Sequence, residues 1–129
     1  MKVKKLVNLT PHTVNIFLRD GRQISLPSQG IARVKELVED VGELEVDGVT
    51  IPLRRKFLEA VIEGLPEPEE GVIYIVSYLA AEVAWKLGRE DVVATGDPVR
   101  DHEGRIIGVS SLYAQRTTPA TKLRPPLPE

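Results

Sequence analysis

Apolar and polar residues alternate with a period of two over much of this chain, and that period predicts β-strands. Val14, Ile16 and Leu18 alternate with Asn15, Phe17 and Arg19, which gives one strongly apolar face. Asp20-Gly21 separates this run from residues 22–26, a good hairpin signal. Further along, Leu44 and Val46 alternate with Glu43 and Glu45, Asp47-Gly48 supplies a tight turn, and Val49 and Ile51 return. This is the strongest hairpin in the chain, because Asp-Gly tolerates the positive φ angles such turns require. Residues 3–7 form a short strand, and Pro27-Ser28-Gln29-Gly30 turns the chain into a further one at 31–34. Residues 54–65 fit a helical spacing through Leu58, Val61, Ile62 and Leu65, and a strand nearly as well; the reading leans to strand.

Two departures from alternation organise the rest. Residues 72–76 (VIYIV) are apolar without interruption, as in a strand buried on both faces. Ser77 is a natural N-cap and Gly88 a natural C′ residue, which brackets a helix over 78–87 with Leu79, Ala80, Val83, Ala84 and Leu87 as its apolar stripe. A strand at 91–94 follows, and a helix between two strands is the usual crossover between parallel neighbours. Before it, residues 65–71 hold two prolines and a glycine and read as a loop. Residues 98–100 and 105–109 flank Asp101-His102-Glu103-Gly104 as a last hairpin. The expected fold is therefore α+β: a mostly antiparallel, barrel-like or mixed β-structure with one principal helix. It is expected as a single domain over 1–112, followed by a proline-rich tail over 113–129 that packs on its own or a neighbouring subunit.

Thr10-Pro11-His12 interrupts an otherwise strand-like stretch near the start. Pro11 disfavours the helical region for Thr10 and has no N–H for a ladder, so the chain must turn there between two strands. Asn8-Leu9-Thr10 also matches the glycosylation acceptor pattern, which without a secretion signal is read as coincidence.

The composition narrows the function classes. The chain has 129 residues and a net charge of −2, from 17 basic against 19 acidic residues, which gives no electrostatic footprint for nucleic acid. It contains no cysteine, so disulfides and thiolate chemistry are excluded. No apolar run reaches the length of a membrane span, and the expected compartment is the cytoplasm. The abundance of Glu, Lys and Arg is also compatible with a thermophile.

NLTPH near the start, GLPEPEEGVIYIVS in the middle and VRDHEGRIIG near the end occur together in this chain. In these motifs, over residues 7–112, the sequence resembles a family of short uncharacterised proteins of bacterial, archaeal and prophage genomes. The resemblance brings no activity with it.

Candidate chemistry gathers at the carboxyl end of the 72–76 strand. Ser77 and Tyr78 lie there, Asp97 emerges after the next strand, and Arg100 could pair with a phosphate. With His12 they make a candidate site for a small anionic ligand, nucleotide-like in character. Each also has a simpler structural reading: a cap, a turn, a corner. A metal site would need His12 and His102 together with Asp97 or Asp101, and neither histidine has a second one at ligand spacing, so no metal and no cofactor is expected. Tyr78, Glu82, Trp85 and Arg89 lie along one flank of the helix, which is either a partner surface or a second face covered within the domain. No catalytic constellation is visible. The expectation is a non-catalytic binding or assembly module forming a homo-oligomer. The alternative is the anionic-ligand site, which requires His12, Ser77, Asp97 and Arg100 to converge on one pocket.

Overall fold

The computed structural model describes residues 2–115. In chain order these form β1 (Lys5–Asn8), β2 (Val14–Phe17), β3 (Gln23–Leu26), β4 (Arg33–Val46), β5 (Val49–Glu63), β6 (Val72–Val76), α1 (Tyr78–Lys86), β7 (Val92–Thr95), β8 (Pro98–Arg100), β9 (Ile106–Val109) and β10 (Leu112–Tyr113). One sheet has the order β1-β6-β7-β10 and a second the order β3-β2-β9-β8, while β4 and β5 pair only with each other.

The first sheet is mixed. β1, β6 and β7 run parallel, and β10 joins β7 antiparallel. Helix α1 connects β6 to the parallel β7, as its position between them predicts. Ser77 caps it in an extended conformation, its hydroxyl accepting from the N–H of Ala80 at 3.2 Å, and Gly88 follows at φ 89°. The second sheet pairs β2 with β3 and β8 with β9 antiparallel, and β2 with β9 parallel. Four of the seven strand pairings among the described residues are antiparallel, as a mostly antiparallel, mixed β-structure requires, and no closed barrel forms among these residues. Its strands divide between two open sheets and a ribbon.

Two apolar cores stack these elements in layers. Val7, Val72, Tyr74, Val76, Val92 and Ala94 pack with Ala80, Ala81 and Ala84 of the helix. On the other side, Val14, Ile16 and Val109 of the second sheet meet Leu6 and Leu112 of the first. The predicted helix stripe needs correction, because Leu79 and Leu87 are exposed while Ala81 is buried. The helix lies on its alanine face. Three small side chains let the backbone approach a sheet already filled by Tyr74, Val76 and Val92.

The 54–65 segment is indeed a strand to Glu63, and it continues the 49–51 strand without a break. Together β4 and β5 make a two-stranded ribbon, 14 and 15 residues long and so about 45 Å from root to tip at the usual rise per residue. Gly64 ends it at φ 89°, and a Cβ there would collide with the Ile31 carbonyl. At the root Val34 and Ile62 pack against the helix-side core. Beyond the root the ribbon leaves the layered body. The tail expectation concerns residues 113–129, of which 116–129 lie outside the described residues; Tyr113 is the second residue of β10.

Candidate functional site

The ribbon carries most of the exposed apolar side chains. Uninterrupted alternation on β5 places Val49, Ile51, Leu53, Arg55 and Phe57 on one face, and their cross-strand partners are Val46, Leu44, Gly42, Glu39 and Leu37. That face is apolar except for one charged row, Glu39–Arg55, and Val49 is 58% exposed on it. The opposite face carries Thr50, Pro52, Arg54 and Lys56 on β5 against Glu45, Glu43, Asp40 and Val38. Its half-turn is Asp47-Gly48, both at positive φ. Ion pairs lie on both faces: Arg54–Asp40 at 3.0 Å and Lys56–Glu36 at 3.4 Å on this one, and Arg55–Glu39 at 3.3 Å on the apolar one. Such exposed pairs add under about 1 kcal/mol each, but they fix which residues face one another. A two-stranded ribbon in water is marginal without something against its apolar face.

The Thr10-Pro11-His12 interruption is the corner through which the chain passes from the first sheet to the second. Its centre is Asn8, wholly buried at the end of β1. The Asn8 amide donates to the carbonyls of His12 and Leu26, both at 2.8 Å, while its Oδ1 accepts from the Thr10 N–H at 2.9 Å and hydroxyl at 2.7 Å. Both donors and both lone pairs are thereby used, which a buried amide requires. The Asn-x-Thr pattern is a structural bracket. Sequence reasoning missed Asn8, although a lone amide between Val7 and Leu9 in a buried strand was the available signal.

The candidate ligand residues come together only in part. His12 and Ser77 open on one cavity of about 500 Å³ with Thr10, Thr13 and Thr95. Ser77 also borders a second, of about 590 Å³, between the corner and the ribbon root, where Arg33 and Lys35 are balanced by Glu36 and Glu63. Asp97 and Arg100 are in the lining of neither. Asp97 accepts from the hydroxyls of Ser111 at 2.6 Å and Tyr113 at 3.0 Å, which holds its carboxyl below the usual range and pushes the Tyr113 phenol up. Arg100 donates to the Gly104 carbonyl across its hairpin at 2.8 Å. In that hairpin turn Asp101 accepts from the backbone N–H groups of Arg105 and Glu103 and is likewise held low.

The helix flank is partly structural. The Trp85 indole donates to the Val92 carbonyl at 2.9 Å, and Arg89 clasps Asp91 and the Pro66 carbonyl, its guanidinium pushed further up by Asp91. Tyr78 stands edge-on to both Trp85 and Tyr113. With Glu82, Lys86 and Gln115, Tyr78 and Trp85 line a hollow of about 290 Å³. Among the described residues no cluster of three His, Asp or Glu side chains is placed to hold a metal ion, and no helix is long and apolar enough to cross a membrane. Set against protein-family models, curated proteins and solved structures, the chain finds no match.

Proposed function

We propose that the protein is a non-catalytic binding or assembly module whose contact element is the β4–β5 ribbon. The observation that carries this reading is the apolar face running from Phe57 to Val49, which stands clear of the body and is open among the described residues. It amounts to on the order of 500 Å² of largely apolar surface crossed by one charged row, the size that marks an interaction site. The engagement of Asp97, Arg100, Arg89 and Trp85 in intramolecular bonds supports the same view, since each has a structural task. Membership of the family sharing the NLTPH, GLPEPEEGVIYIVS and VRDHEGRIIG motifs is proposed alongside it; in this chain those stretches build the corner, the strand-to-helix unit and the last hairpin.

Replacing residues 37–57 by a two-residue Asn-Gly turn tests the reading. The shortened chain is expected to unfold cooperatively with nearly the thermal midpoint of the full one, because the ribbon beyond its root adds little to either core. Loss of cooperative unfolding would make the ribbon part of the body rather than a contact arm, and the reading would fail.

A second reading, a small anionic ligand, is favoured by the cavity that His12 and Ser77 share. Nucleotides and phosphosugars at saturating concentration would then raise the thermal midpoint, and Ser77→Ala would cancel the rise. No rise across the panel removes this reading.

A further inference from the structure

We propose that the occupant of the ribbon's apolar face is a second copy of this chain, packed face to face with the two ribbons pointing the same way from root to tip, about a two-fold axis lying along the ribbon. The inference rests on the ribbon being a contact element, as argued above. A two-fold along the ribbon sets β4 of one copy over β5 of the other at the same level, so each cross-strand row meets itself reversed. Leu44 then lies over the partner's Ile51, and Val46 over the partner's Val49. The one charged row becomes complementary, with Glu39 over the partner's Arg55 and Arg55 over the partner's Glu39. The one empty position is filled as well, because Gly42, which has open space where a Cβ would be, faces the partner's Leu53. Charge and size complementarity thus arise in the same register.

Other self-associations satisfy the face less well. Running the ribbons in opposite directions about Gly42 sets Glu39 and Arg55 against the partner's Leu44 and Ile51, which buries charges without counter-charges. Centring that arrangement on Glu39 sets like charges over each other. Edge-to-edge extension is discouraged by Pro52, which has no N–H to offer, and by the register shifts beside Val41 and near the root. Val34 packs on the body at the root, and beyond the register shift between Val34 and Glu36 the residues of the apolar face from Phe57 to the turn are exposed, which leaves that face open to a partner. The pair would bury roughly 600 Å² per copy, about 1,200 Å² in all, at the lower edge for specific interfaces; association in the micromolar range is expected.

Sedimentation of the full chain from about 1 to 500 µM tests this, together with charge exchange. E39R alone and R55E alone should each weaken self-association by about tenfold or more, because each homodimer then opposes like charges. An equimolar mixture should restore it, since the mixed pair again faces opposite charges between copies while the pair within each chain stays broken. A purely intramolecular role for Glu39–Arg55 cannot produce that rescue. E39R/R55E in one chain keeps both kinds of pair and should associate like the parent. Geometry is read in the parent background from a spin label at Thr50→Cys, on the polar face of a chain that has no other cysteine. Same-direction ribbons place the two labels at one level, about 20–30 Å apart, whereas opposite-direction ones add an axial offset of roughly 20 Å when centred on Gly42 and roughly 35 Å when centred on Glu39, for separations of about 30–45 Å. A chain monomeric throughout that range overturns the second copy as partner while leaving the ribbon reading to the shortened variant. A dimer that ignores the charge exchange, or labels far apart, overturns the proposed packing.

Discussion

The corner at Asn8 and the ribbon of β4 and β5 solve opposite problems. Around Asn8 a polar side chain sits in an apolar setting, and four hydrogen bonds make it a fixed point between two sheets. Along the ribbon apolar side chains sit in a polar setting, and the hydrogen-bond ladder, the Asp47-Gly48 turn and the ion pairs hold the strands although one face is bare. The body has its partners within the chain. The ribbon has the form of an element whose partner lies elsewhere. The difference shows that alternation fixes which side of a strand is apolar, and leaves open what that side meets.

Paired truncations would break or sharpen this contrast most strongly. Asn8→Ala leaves the Leu26 carbonyl and the Thr10 N–H without their buried partner, while the His12 carbonyl keeps the Thr10 hydroxyl at 3.0 Å, and should cost about 2–3 kcal/mol in urea unfolding. Leu44→Ala in dilute solution should cost about 0.5 kcal/mol or less, since its side chain is exposed in the single chain. Equal losses at the two positions would erase the distinction between body and ribbon.

A smaller effect separates the regions by pH. Asp97 ties the end of β7 to β10 through Ser111 and Tyr113, and its carboxyl is held below the ordinary 3.8. A folded-state value below the unfolded one means the unfolded chain binds more protons in that window. The contribution is therefore present above about pH 4 and is lost as pH falls through the folded value. Asp97→Asn should make the acid decline of stability shallower without removing it, because Asp101 is depressed in the same direction. An acid decline identical in the parent and in Asp97→Asn would remove Asp97 from the groups that set it.

Much of the architecture was legible because it is local. Ser77 and Gly88 bracket the helix through capping and positive φ, VIYIV is buried as an unbroken apolar run should be, and Asp47-Gly48 turns the ribbon where the dipeptide requires. The helix face was misread because Leu79 and Leu87 look more core-like than Ala81. Burial there was decided by how closely the helix could approach the sheet, which no period along the helix encodes. Of the candidate site, His12 and Ser77 share a cavity while Asp97 and Arg100 are held elsewhere. Sequence separation gave no means to tell those pairs apart.

By itself the sequence determined the strands, their turns, the capped helix and the corner at Pro11, since propensity, periodicity and φ restrictions act over a few residues. Tertiary structure alone decided that the strands divide between two sheets and a ribbon, and that Asn8 is the fixed point between the sheets. It also decided that the apolar side of β4 and β5 lies outside the core. The physical reason is that burial depends on which distant surfaces meet, and the same alternating strand serves as a core wall or as an open face.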